Sequence, residues 1–301
     1  MEIQRLRLFC LIINAMKKNF YCYGVALALA FCACSVDKDD DGDDDITPGQ
    51  VKVLEYCPAP GQFINEHGEF KTMAEASAWA ESRLENKLYV SLGSFGGYLT
   101  VKLPKVVKNR KGYDFGIIGN PFDGSSEPGI VWVSEDVNGN GVADDPWYEL
   151  KGSDQPERDY EVTYFRPSQP GNVHWKDNRG NEGDVLYLPD FHDQMYYPAW
   201  IAADSYTLKG SMLQPRAVNE GGVWKNQSFG WGYADNVGSD VEKSTNGVYR
   251  YNQFELDHAV DAQGNPVVVN QIHFVKVQSA ILKNVDVIGE VSTEVVGFKI
   301  F

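Results

Sequence analysis

The sequence predicts a mainly β fold, a jelly-roll-like antiparallel β-sandwich with one short helix and long loops. Three observations carry that prediction. Short runs of alternating or β-branched residues recur through most of the chain. Gly, Asn, Pro and Asp break these runs about every ten residues, the spacing of a sandwich or barrel rather than of βα units. No stretch repeats at the ~20–50-residue period that marks a propeller or solenoid.

The elements follow in order. Residues 51–56 alternate as a short strand, which Cys57-Pro58-Ala59-Pro60-Gly61 stops. Thr72 followed by Glu75 makes a capping box, and Ala74, Ala76, Ala78, Trp79, Ala80 and Leu84 favour a helix ending near Asn86. Residues 88–92 and 98–103 read as strands flanking a break at Gly93, Gly96 and Gly97. Further strands are expected at 113–118, 130–134, 160–165, 185–188, 267–272, 273–280 and 295–301. Between residues 160 and 235 the turns lengthen, which predicts a loop-rich insertion within one domain of residues 50–301.

The N-terminus reads as a targeting segment. Lys17 and Lys18 form a positive n-region, and residues 24–33 form a short apolar h-region. That run is too short to cross a ~30 Å hydrocarbon core as a helix. Ala33-Cys34-Ser35 follows, with seven aspartates between Asp37 and Asp45. This resembles the lipobox of bacterial lipoproteins, with Phe31 where Leu is usual. It implies a signal peptide over residues 1–33, acylation of Cys34 and an acidic tether over 34–49. Met16 makes a better start for the signal than Met1. The acidic run resembles the surface-export signal of Bacteroides-type lipoproteins, and its plain alternative is a solvated linker. The expected location is the outer membrane, lipid-anchored and facing the exterior.

Composition narrows the function. The chain has a formal net charge of −15, and the part beyond Asp45 keeps 22 basic against 34 acidic residues. That balance argues against nucleic acid and against docking on anionic lipid, so membrane contact is expected through the anchor alone. Neutral ligands, cations and sugars remain compatible. Cys10, Cys22 and Cys32 leave with the signal, so Cys57 has no partner for an internal disulfide.

The sharpest motif runs from Asp136 to Asp145. Asp136, Asn138 and Asn140 put oxygen-bearing side chains at loop positions one, three and five. Gly141 follows, and Asp144 and Asp145 return at nine and ten. Calcium takes six to eight hard oxygens, and such alternation turns successive oxygens onto one centre, with the Val142 carbonyl adding another. An EF-hand needs Glu at position twelve, where Trp147 stands, and the flanks favour strands. The motif therefore predicts structural calcium in a β-hairpin, with Asp145 or Glu149 as the bidentate acid. A metal-free hairpin is the simpler alternative, because Asn-Gly is also a tight-turn dipeptide.

Around this loop the chain resembles a set of Bacteroides-type cell-surface lipoproteins. The matching blocks include Gly96-Gly97-Tyr98, Gly119-Asn120-Pro121-Phe122, Ser125-Ser126-Glu127-Pro128-Gly129 and residues 136–150. Trp231-Gly232-Tyr233-Ala234-Asp235-Asn236 and residues 288–295 continue the match, which covers most of 51–301. Members often accompany outer-membrane nutrient-uptake systems, including those for corrinoids. The resemblance implies capture of a small molecule or glycan for an outer-membrane transporter, with a corrinoid the leading guess.

Aromatic residues crowd the middle of the chain. Trp175, Tyr196, Tyr197, Trp200 and Trp224 are expected on exposed loops, where they would stack on sugar rings or a flat macrocycle. Their alternative is a place in the core. A hydrolase would need paired acid and base or an open metal site, and only Asp190, His192 and Asp193 cluster locally. Glu290 and Glu294, with Ser292 and Thr293, would bind a second cation or cap a strand. Binding without turnover is thus favoured over a glycan-active hydrolase and over an adhesin or assembly scaffold.

Overall fold

The computed structural model describes residues 51–68, 70–243, 250–285 and 288–301. The predicted signal, Cys34 and the acidic tether lie outside the described residues.

Two antiparallel sheets face each other. The larger runs in the order Lys52–Cys57, Tyr98–Lys108, Gln271–Ser279, Gly129–Ser134, Trp147–Leu150, Ala259–Val260. The smaller runs Val241–Lys243, Arg250–Phe254, Phe115–Gly119, Gly297–Ile300. Alternation decides which side chains meet. Val101, Val131, Val133, Val275 and Val277 from the larger sheet share one buried core with Phe115, Ile117, Phe254 and Phe298 from the smaller. The fold is therefore a mainly β, antiparallel sandwich, as the punctuation of short strands predicts.

The helix spans Met73–Glu85 and confirms its capping signal. Thr72 accepts from the Glu75 amide at 3.2 Å, while the Glu75 carboxylate accepts from the Lys71 amide at 2.8 Å. The return bond thus falls one residue earlier than in the usual capping box. Ala76, Ala80 and Leu84 enter the main core. The same helix guards an edge. Strand Lys52–Cys57 ends the larger sheet, and edge amides invite pairing with other chains. Glu81 accepts from the Val53 amide at 2.8 Å, and Ser77 accepts from the Tyr56 amide at 3.1 Å.

The stretch expected to be loop-rich holds a third sheet, Ser205–Met212, Glu157–Phe165, Val173–Asp177, Glu182–Val185. In Glu157–Phe165 the buried residues Tyr160, Val162 and Tyr164 alternate with more exposed Glu161 and Thr163. The partner strands are polar and carry little apolar signal of their own, so long turns masked them. This sheet packs Tyr160, Val162, Tyr164 and Leu208 against Phe95, Ala59, Tyr196 and Tyr197. Elsewhere the bounds move both ways, and Tyr98–Lys108 runs past the expected 98–103. Only Val90–Ser91 forms within 88–92, and Glu182–Val185 ends where a strand was expected to begin.

Candidate functional site

The hairpin between Gly129–Ser134 and Trp147–Leu150 holds the 136–145 loop in place through pairing of Ser134 with Trp147 and Val133 with Tyr148. Inside it the oxygens organise the backbone. Asp136 Oδ2 accepts from the Gly141 amide at 2.8 Å, and Asn138 Oδ1 accepts from the Asn140 amide at 2.9 Å. Asn140 Oδ1 accepts from the Val142 amide at 2.7 Å, and Asp145 Oδ2 accepts from the Val137 amide at 3.0 Å. Asp144 receives the side-chain amides of Asn138 and Asn140. Gly139 and Gly141 adopt φ of 71° and 76°, the left-handed region that a side chain would strain. Asp136 Oδ1 is buried and has no hydrogen-bond partner.

Glu149 does not join this loop. Its Oε1 pairs with Arg158 at 2.6 Å, its Oε2 accepts from the Ser211 hydroxyl, and the residue is 1% exposed. Its strand registers Glu149 opposite Trp132, beyond the hairpin end, which sets it apart from the loop carboxylates. Of the two acids expected to complete the shell, only Asp145 contacts the loop.

A groove of about 670 Å³ runs along the outer face of the larger sheet, with Gly141, Val142 and Ala143 of the loop as one wall. Tyr98, Trp147 and Lys276 line it, and Met73 and Ser77 of the helix close another side. Lys276 sits in the central strand between Val275 and Val277, which point into the core, so alternation turns it outward. Its ammonium lies 4.8 Å from the Trp132 ring, 5.3 Å from Trp147 and 5.9 Å from Tyr98. Burial pushes the Lys276 amine down to about 8, with Glu55 pulling the other way. Cys57, which contacts Tyr98, is pushed up to about 12 by burial, so its thiol stays protonated and unreactive at neutral pH.

A second cluster is buried deeper. Glu127 precedes strand Gly129–Ser134, Asp235 follows the Trp231-Gly232-Tyr233 turn, and Glu294 belongs to strand Glu294–Val295. One oxygen from each lies within 4.8 Å of the others. Asp235 Oδ1 accepts from the Asn120 amide at 3.0 Å, and Oδ2 accepts from the Glu294 amide at 2.9 Å. Asp235 is held at φ 53°, a conformation unusual outside glycine. Burial pushes Glu127 up to about 8 and Asp235 up to about 7, and Glu294 is raised further by burial and by both neighbours. Nearby Glu290 is pushed up to about 7 by burial. Three acids this close keep protons between them, because like charges sharing a buried site cannot all ionise. Such a triad has the spacing for a cation, but the cluster alone is no reason to place calcium there. Sequence reasoning marked Glu290 and Glu294 and missed Glu127 and Asp235, whose turns carry no local sign of burial.

The aromatic set is corrected by the structure. Tyr196 and Tyr197 are 0% exposed and Trp200 is 5% exposed. The Tyr196 hydroxyl accepts from the Leu188 amide at 3.1 Å, and Tyr197 donates to the Ala203 carbonyl at 2.8 Å. Trp200 packs on Tyr56 and Phe70 in the main core. An irregular segment still needs a core beneath it, and these rings supply it. Trp175 and Trp224 are half-buried, but they edge two different clusters and do not form one platform. Asp190, His192 and Asp193 do not assemble either: His192 pairs with Glu66 at 3.3 Å and packs on Phe63. His273 accepts from the Asp136 amide at 3.0 Å, a structural role.

No protein-family model matches this chain, and no curated protein matches it.

Proposed function

We propose that this chain is a surface lipoprotein that captures a nutrient ligand for an outer-membrane uptake system. The ligand is held in the groove beside the 136–145 loop, and structural calcium stiffens that loop. The observation that carries the reading is the junction itself: one wall of the groove is built by the loop, and aromatic and polar side chains line its floor. In support of calcium, the loop carries carboxylate and amide oxygens, all hard ligands, and leaves Asp136 Oδ1 buried with no partner. Surface tethering rests on the n-region, the h-region and Ala33-Cys34-Ser35.

A volume of about 670 Å³ lies within the range small ligands fill. It suits a saccharide segment better than a whole corrinoid, most of which would stay outside. The test is calorimetry of the detergent-solubilised full chain against a glycan panel and cobalamin. Binding without product supports capture, product formation supports a glycan-active hydrolase, and neither supports adhesion or assembly.

A further inference from the structure

We propose that the groove recognises an acidic saccharide and that Lys276 is the residue that takes its carboxylate. The inference rests on the groove being the capture site.

The position of Lys276 is the first argument. It stands opposite Trp132 on one neighbouring strand and Thr100 on the other, at the centre of the larger sheet. Tyr98, Thr100 and Lys102 share that outer face by alternation. Two cations therefore mark this face of an otherwise acidic chain. Lys102 is engaged, donating to the Gly141 carbonyl at 3.4 Å and lying over Phe274.

Lys276 is set apart by its three aromatic neighbours and its burial. Lys52, Lys176, Lys209 and Lys225 each reach a carboxylate. Among the described residues no ion pair involves Lys276, although acids outnumber bases in the chain. Three aromatic rings hold its charge instead. Cation–π contacts steady an ammonium without offering it a hydrogen-bond acceptor. Lys276 lines the groove, where an occupant can supply that acceptor in place of water. Burial already lowers the amine's proton affinity, and a bound carboxylate reverses that loss.

The rest of the lining fixes the body that carries the anion. Tyr98 and Trp147 offer apolar flanks for the C–H face of a pyranose, while the hydroxyls of Ser77 and Thr100 can meet its own hydroxyls. Glu55 also lines the groove, so a second negative group on the ligand is disfavoured there. A sugar with one carboxylate per ring, spaced along a chain, satisfies both conditions.

The probes are digalacturonate, its methyl ester and the neutral disaccharide cellobiose, titrated by calorimetry into the solubilised full chain. A charge-assisted hydrogen bond predicts ~10–100-fold tighter binding of the acid than of the ester. Lys276→Met should remove that preference by weakening the acid far more than the ester, while Lys276→Arg should keep part of it. A melting curve checks that each variant folds. If Lys276→Met fails to fold, the comparison of acid with ester on the wild type decides alone. Equal affinity for acid and ester, or an unchanged preference in folded Lys276→Met, overturns the inference. Binding of cellobiose or cobalamin without digalacturonate overturns it too, while the capture reading stands. No binding of any ligand overturns both.

Discussion

The buried triad of Glu127, Asp235 and Glu294 makes stability fall as pH rises, against the habit of proteins stabilised by ion pairs. Glu127 is raised from 4.5 to about 8 by burial and by the Asp235 charge, and Asp235 from 3.8 to about 7 by burial, against the hydrogen bonds it accepts from Glu294 and Asn120. Below the ordinary carboxylate range both states are protonated and the full contribution is present. Between about pH 5 and 8 the unfolded chain has released these protons and the folded cluster still holds them. Each retained proton then lowers stability by about 1.4 kcal/mol per pH unit. One such proton across two pH units costs about 3 kcal/mol, a large share of the ~5–15 kcal/mol that holds a domain together. Glu290 adds in the same direction, whereas His258, lowered by burial, opposes it only below its ordinary value. Glu294→Gln keeps the shape and removes an acid whose own raised pKa holds a proton through this window, so one retained proton drops out of the balance. The variant should show a flatter pH slope and exceed the wild type in stability at pH 8. Urea unfolding between pH 5 and 8 in the presence of chelator reads the slope directly. Stability that is flat or rising over that window, or a slope unchanged by Glu294→Gln, refutes the reasoning.

Other expectations follow from the packing and the loop. Chelating calcium should lower the melting temperature, since binding the folded state at a hundredfold excess over Kd contributes about 2.7 kcal/mol. Asp136→Ala should abolish that response, and identical melting curves with and without chelator would exclude the site. Trp200→Ala should cost ~3–5 kcal/mol in urea unfolding, as for a large core side chain, whereas an exposed ring would cost little. Arg158→Met leaves Glu149 buried without its cation and should destabilise by ~3–5 kcal/mol, with Glu149→Gln restoring part of the loss. Cys34→Ala should release the chain from membranes, as cell fractionation would read, and a variant that stays bound would exclude acylation as the anchor.

Much of the fold was legible because it rests on local signals. Thr72 and Glu75 announce the helix start, and Asn138-Gly139-Asn140-Gly141 announces the hairpin turn. The partners within the larger sheet were not legible, since alternation says which face a residue takes but not which strand lies beside it. Tyr196, Tyr197 and Trp200 misled for a related reason. Their neighbours are glycines, prolines and polar residues, which mark irregular backbone but not exposure. Glu127 and Asp235 meet only through tertiary folding, from turns far apart in sequence, so no spacing rule finds them. Lys276 left a trace, as a cation in the middle of the apolar alternation of Gln271–Ser279. That strand was assigned, and the anomaly within it is where the groove's charge lies.

The order of strands in the larger sheet carries a consequence for how the chain reaches its folded state. Its central strand, Gln271–Ser279, separates Tyr98–Lys108 from Gly129–Ser134, which lie far upstream and never pair with each other. Until the last part of the chain is available, both neighbours have an open side and the main core lacks Ile272, Val275 and Val277. Loop closure over such separations is slow, and its cost precedes its reward. The larger sheet therefore stays incomplete until Gln271–Ser279 is in place. Completion of the main core waits on that one strand, whichever of its two neighbours is in place first.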